Sequence, residues 1–431
     1  MENIPHAGRS ELLTRDSLAL IMAGGRGTRL QNLTRDRAKP AVYFGGQYRI
    51  IDFTLSNCIN SGIRRMGVLT QYESHCLIRH LQHGWSFLRR QLGEFIELLP
   101  AEQRQRHSLW YSGTADAVYQ NIEFIRIHRP RYVLVLAGDH IYKMDYGAML
   151  AHHVDSRADV TLGCVEVPAE RARDFGVVTV DDGGRVIDFV EKPARPEVRV
   201  RPGEPCLVSM GIYVFNTEQL LDQLSRDAGC SASAHDFGHN ILPEMVDSAH
   251  VQAFPFRDLH RPDQPGYWRD VGTVDGYWKA NQELLNSPPE LDLDDGLWPV
   301  WTHRQQLPPA RFVRTGPQEP GLAEDSLVSQ GCVIAGGRAR RSILFTHARM
   351  LTGSRVEQSL LLPGVSVGPG CVVHRAIIDA GCSLPEGTVI GVDAEADAQR
   401  YHRTPEGITL VTRHMLVARY PHRDRPRSVS G

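Results

Sequence analysis

The chain has 431 residues, with 48 Lys plus Arg against 50 Asp plus Glu and a formal net charge of −2. That length suggests two domains and a joining segment, and so even a charge offers no broad surface for nucleic acid. No apolar run approaches the roughly 18 residues of a membrane helix, and residues 1–16 lack the apolar centre of a signal peptide, so the expected compartment is the cytoplasm.

The eight cysteines, at 58, 76, 164, 206, 230, 332, 371 and 382, form no CxxC pair. Reduced, mostly buried thiols are expected rather than a zinc knuckle or redox dithiol. Only four of the 48 basic residues are lysines: Lys39, Lys143, Lys192 and Lys279. A compact ammonium reaches single phosphate oxygens where a guanidinium fork collides, which makes these four candidates for chemistry. Chance survival is the plain alternative.

Residues 17–23 are a short apolar run ending in a glycine-rich turn, which reads as a buried parallel strand feeding a loop. Residues 67–70 and 132–137 repeat the pattern, separated by amphipathic stretches over 74–92 and 115–128. The alternation predicts an α/β domain with a mainly parallel sheet across residues 17–285. Residues 286–320 are rich in proline and read as a connecting segment. Beyond it Val365, Cys371 and Ile377 recur every six residues, as do Ile378, Leu384 and Ile390, with glycines between them. A six-residue period puts one aliphatic side chain inward on each face of a three-sided coil, predicting a parallel β-helix over 321–425. Irregular strand spacing leaves a β-sandwich as the alternative.

Ala23-Gly24-Gly25-Arg26-Gly27-Thr28-Arg29-Leu30 follows the first strand directly, where backbone amides of a glycine turn can cradle phosphate. The Walker A pattern is absent, and Leu30 stands where the dinucleotide fingerprint needs its third glycine. Arg29 and Lys39 nearby suit a triphosphate. Asp139 ends an apolar strand at the crevice position of open α/β sheets and suits a metal ligand, against an ordinary turn or cap residue as the alternative; Asp270 would be the second carboxylate that a magnesium–phosphate site needs. Glu191 and Lys192 suit a sugar phosphate, against an ordinary exposed ion pair as the alternative.

In order and spacing, residues 24–30, Lys39-Pro40, Arg49-Ile50-Ile51-Asp52-Phe53, residues 56–62 and 110–117, Ala137-Gly138-Asp139-His140, Glu191-Lys192-Pro193, His235-Asp236-Phe237-Gly238, residues 268–273 and 407–413 resemble bacterial glucose-1-phosphate adenylyltransferases. The likeness covers nearly the whole chain. It implies a Rossmann-like nucleotidyltransferase domain and a C-terminal left-handed parallel β-helix serving oligomerisation and regulation, assembled as a homotetramer. The reaction implied is ATP plus glucose 1-phosphate giving ADP-glucose and diphosphate with Mg2+, for glycogen synthesis.

Carried onto matching positions, the resemblance makes Arg29, Lys39 and Asp139 catalytic and gives Mg2+ to Asp139 and Asp270. ATP falls to Gly24, Gly25, Arg26, Gly27, Thr28, Arg29, Gln71, Trp110 and Tyr111, with core packing as the alternative for Trp110. Glucose 1-phosphate and ADP-glucose fall to Tyr111, Gly176, Glu191, Lys192, Ser209 and Asp236. Members that respond to fructose 1,6-bisphosphate carry a basic cluster of which Arg49 and Arg413 remain here. Asp36, Tyr43, Ile127, Ala380 and Val417 stand at its other positions, implying weak or absent activation by that effector. Three rivals stay open: another nucleotide as donor, a catalytically silent regulatory subunit, and a structural or acyltransferase-type β-helix protein, the last leaving residues 1–285 unexplained.

Overall fold

The computed structural model describes residues 6–25, 27–101, 110–195 and 205–417. Strand Ser17–Met22 lies at the centre of a nine-stranded sheet, fully buried but for its last residue, as its unbroken apolar sequence requires. Arg65–Thr70 and Phe95–Pro100 extend the sheet on one side, and Tyr132–Ala137 flanks it on the other, all parallel. The chain thus leaves the central strand in both directions, creating a crevice where successive connections diverge.

The expectation of a mainly parallel sheet holds only for this half. The eleven-residue strand Cys206–Asn216 runs antiparallel to Tyr132–Ala137, Val160–Val167 and Gly176–Val180, and Val186–Glu191 is antiparallel to Gly176–Val180. Register slips between Ser209 and Tyr213, where Gly211 takes φ 69°. The bulge lets one long strand serve different neighbours along its length. The amphipathic stretch over 115–128 divides into helices Thr114–Tyr119 and Ile122–His128, with Asn121 between them bonding through its side chain to Tyr111 Oη and Ala117 O.

The C-terminal part is a parallel β-helix of three sheets. Partner positions advance by 16 or 17 residues per coil, from Val333 to Arg349 to Ser366 to Ser383. Two corners carry left-handed glycines in columns, Gly336, Gly353, Gly370 and Gly387 in one and Gly331, Gly364 and Gly381 in the other, where His347 completes the series. Asp325, Arg341, Gln358 and Arg375, also at positive φ, mark the third. A column of serines helps support the stack, Ser342 and Ser359 fully buried in it: Ser326 Oγ accepts from Ser342 N, Ser342 Oγ from Ser359 N, and Ser359 Oγ from Ala376 N.

Strand Arg311–Val313 already pairs with Val333–Ala335, so the helix begins ten residues ahead of the boundary expected at 321. That first strand is exposed along its length and lacks the apolar rhythm that marks later coils. The two parts share one apolar core, in which Phe44, Phe53, Ile141 and Tyr277 pack with Ile343, Phe345, Leu360 and Leu410. A nearly buried ion pair, Arg37 Nη1 to Asp379 Oδ1 at 2.8 Å, crosses the same boundary.

Candidate active site

The register between the first strand and its neighbour pairs Met22 with Ala137, so the glycine loop and Asp139 leave the sheet side by side. Gly138 is needed there, because a β-carbon would come within 2.9 Å of Ile21 Cγ2 and 3.0 Å of Met22 O. Asp270 arrives from a ribbon: Trp268–Asp270 is antiparallel to His140–Tyr142, with Asp270 opposite His140. Two carboxylates 131 residues apart in sequence therefore meet at the crevice mouth, Asp270 ending its strand and Asp139 in the bend just before His140.

Both carboxylates converge on Lys39. Its Nζ donates to Asp139 Oδ2 at 2.9 Å and Asp270 Oδ1 at 2.8 Å, with the lysine side chain only 7% exposed. Lys39 begins the short 3-10 turn Lys39–Ala41, packed beneath Gly27, whose φ of 62° and missing β-carbon let the loop lie against Lys39 Cβ. Burial alone would push the two carboxyls up, but the Lys39 ammonium and the adjacent His140 hold both below the usual carboxylate range. Burial likewise opposes the charge on Lys39, which the carboxylates more than restore. Arg29, more than half exposed, lies 3.6 Å from Asp270 Oδ2.

These residues open onto a cavity of about 480 Å³. Gly24, Gly25, Arg29, Gln71 and Tyr111 line it, as do Gly176, Glu191, Lys192, Ser209 and Asp236. Lys192 Nζ donates to Glu191 Oε1 at 2.6 Å. Ser209 Oγ sits at the strand bulge, donating to Tyr213 Oη and accepting from Gly211 N. Asp236 is partly committed to structure: it accepts from Gly238 N and His239 N at the start of the turn Phe237–Ile241 and from Thr114 Oγ1.

Not every expected residue is in the cavity wall. Trp110 is half-exposed and outside it, which also removes core packing as its role. Gly27 and Thr28 do not line it either, and Arg26 is outside the described residues. Arg49 borders a different cavity of about 270 Å³ beside the connecting segment, shared with His80, His303, Arg304 and His347. Its guanidinium donates to Ala41 O and Tyr43 Oη. Arg413, in the last described helix, does not border that cavity. Among the four lysines, Lys143 ties the connecting segment down through Asp292 O and Asp295, and Lys279 pairs with Glu406 between the two parts.

The cavity wall also includes Thr114, His140, Asp174, Phe175, Gly211 and Gly238, to which sequence reasoning assigns no site role. Three of them stand in the quoted motifs, so the signal was the motif itself. Asp174 and Phe175 carry none beyond their place just before Gly176.

The donor set fits a metal only in part by itself. Among the described residues no group of three or more His, Cys, Asp and Glu is placed to hold one. Two carboxylates aimed at a single point do suit a hard cation that takes the rest of its oxygens from phosphates and water.

A sheet that diverges at a phosphate-sized glycine loop, with paired carboxylates across the crevice, defines a nucleotidyltransferase. The nucleotidyl transferase family model matches residues 18–287, and a GlmU-like C-terminal hexapeptide model matches residues 308–411, consistent with a left-handed β-helix. The chain belongs to the glucose-1-phosphate adenylyltransferase family. It is 54% identical to the glucose-1-phosphate adenylyltransferase of Nitrosococcus oceani, over 95% of this chain and 96% of that protein. It is 57% identical to glucose-1-phosphate adenylyltransferase 2 of Alkalilimnicola ehrlichii, over 94% and 95%, and 54% identical to the Dechloromonas aromatica enzyme, over 94% and 92%.

Proposed function

We propose that this enzyme joins ATP and glucose 1-phosphate into ADP-glucose and diphosphate, supplying α-glucan synthesis in the cytoplasm. The observation that carries the reading is the convergence of Asp139 and Asp270 on one point between the glycine loop and the Glu191–Lys192 pair. Triphosphate on Gly24, Gly25 and Arg29 and sugar phosphate on Lys192 would meet there. Among the described residues no helix is long and apolar enough to cross a membrane.

A phosphate oxygen of glucose 1-phosphate attacks the α-phosphorus, forming one P–O bond. The bond from the α-phosphorus to the α,β-bridging oxygen breaks, and diphosphate leaves with its electron pair. The attacking phosphate is already ionised near neutral pH, so no general base is needed. The protein's work is to cancel charge and align the two substrates in line. Asp139 and Asp270 would hold Mg2+, which neutralises the α-phosphate and the leaving group. Lys39 and Arg29 stabilise charge as it develops on the phosphates. Lys192 orients the attacking phosphate, and Glu191, Ser209 and the backbone at Gly176 position the sugar. Gln71 and Tyr111 lie on the nucleotide side. With 32P in the glucose 1-phosphate, the label must appear in ADP-glucose and none in diphosphate; label in diphosphate would refute attack at the α-phosphorus.

The assembly proposed is a homotetramer. Phe312, Ala323 and Val328 continue the inner columns of the β-helix at its first coil, and Phe312 is 52% exposed there. A second copy stacked on that open end would bury it. Small-molecule effectors are proposed near Arg49 and Arg413, with fructose 1,6-bisphosphate a poor one. Asp36 stands in that region against His414, 3.1 Å away, and a carboxylate there repels a bisphosphate.

A further inference from the structure

We infer that Lys39 and a divalent cation compete for the same two carboxylate oxygens, so that metal loads into this site together with the nucleotide and not ahead of it. The inference rests on the metal role proposed above for Asp139 and Asp270. Lys39 Nζ bonds both Asp139 Oδ2 and Asp270 Oδ1, and its side chain is nearly buried. A metal bridging these carboxylates would take the oxygens the ammonium now holds, and the two cations repel each other.

Metal arriving alone gains little. It strips Lys39 of both partners, leaving a buried ammonium unpaired, and finds no third carboxylate or histidine to complete its shell among the described residues. A nucleotide removes both difficulties, because its phosphate oxygens offer Lys39 a new anionic partner and supply the missing metal ligands. Asp139 and Asp270 are then released to the metal in the same exchange. Lys39 thus acts twice, guarding the carboxylates before binding and neutralising phosphate after it. Arg29 is not a second guard of the same kind, being exposed and 3.6 Å from Asp270 alone.

The test is Mn2+ binding to the intact enzyme by electron paramagnetic resonance, with and without the unreactive analogue α,β-methylene-ATP. In the parent protein the analogue should tighten Mn2+ binding at least tenfold, and Asp270→Asn should abolish that gain. Lys39→Met should bind Mn2+ at least tenfold more tightly than the parent without nucleotide, and the analogue should then add little. Equal Mn2+ affinity of the parent with and without the analogue would overturn the inference even if the variant failed to fold, and so would unchanged nucleotide-free affinity in a folded Lys39→Met. Persistence of the analogue-dependent gain in Asp270→Asn would instead refute the metal role of Asp270, a separate failure.

Discussion

Glu191 and Gly238 are in such close approach that a β-carbon on residue 238 would fall 2.5 Å from Glu191 Oε2. Gly176 presses on the same oxygen from the opposite strand, at 2.8 Å by the same measure. The Glu191 carboxylate is therefore seated between two glycines. Gly238→Ala should push it out of place and raise the KM for glucose 1-phosphate by about tenfold, a loss of ~1.4 kcal/mol, while the KM for ATP stays near normal. Steady-state kinetics with each substrate varied in turn would check this; an equal rise for ATP would point to general damage.

The two lysines of the cavity should separate by role. Lys192→Ala removes a charged contact worth about 1.5–3 kcal/mol, so it should raise the KM for glucose 1-phosphate roughly tenfold to a hundredfold and spare that for ATP. Lys39→Ala should depress kcat instead. The same defect toward both substrates in both variants would contradict separate roles.

The boundary between the two parts depends on a pair that water hardly reaches. Arg37 and Asp379 have side chains 13% and 10% exposed. Arg37→Met leaves the Asp379 carboxylate without its cation and should cost about 3–5 kcal/mol. The exposed pair Lys279–Glu406 should matter far less, within about 1 kcal/mol when broken. Thermal melting of Arg37→Met beside Lys279→Met would rank them; similar melting points would contradict the ranking.

Much of the fold was legible because local chemistry is repeated. The unbroken apolar strand at 17–22 and the six-residue rhythm from Val365 onward each reflect a period of burial. The first strand of the β-helix falls outside the range the sequence suggests because Arg311–Val313 is exposed along its length and lacks the apolar rhythm of later coils. Antiparallel pairing leaves no local mark, because the apolar run Cys206–Asn216 reads as one strand whichever way its neighbours run. In the site, Asp139 was readable from its strand end, whereas its union with Asp270 comes from a ribbon register that no local pattern encodes. Lysine scarcity selected Lys39 and Lys192, which reach the cavity, but equally Lys143 and Lys279, which hold segments together.

Acid should weaken the fold through His153. Its ring is buried between Thr161 Oγ1, 2.8 Å from Nδ1, and Asn216 Oδ1, 3.3 Å from Nε2. Burial pushes its pKa down to about 4 from 6.5, outweighing the Asn216 contact and the charge of Asp159. The unfolded chain therefore takes up a proton between those values that the folded chain refuses. The contribution is complete above about pH 6.5 and is lost as pH falls toward 4, up to about 3 kcal/mol in all. His153→Gln should flatten the fall in melting temperature over that window; an unchanged slope would exclude His153 as its source.

Fructose 1,6-bisphosphate at micromolar concentration should raise ADP-glucose synthesis at subsaturating substrate less than about twofold, since each missing charged contact forfeits roughly 1.5–3 kcal/mol of effector binding. Asp36→Lys should enlarge whatever response exists. Strong activation of the parent would contradict this expectation.

Adenylyl transfer to glucose 1-phosphate can be measured as the rate of diphosphate release across ATP, UTP, dTTP and GTP with glucose 1-phosphate and Mg2+. ATP should be turned over at least a hundredfold more efficiently than the others by kcat/KM, a difference of ~2.7 kcal/mol. Preference for another nucleotide, or no release with any, would rule out ADP-glucose synthesis as this enzyme's reaction.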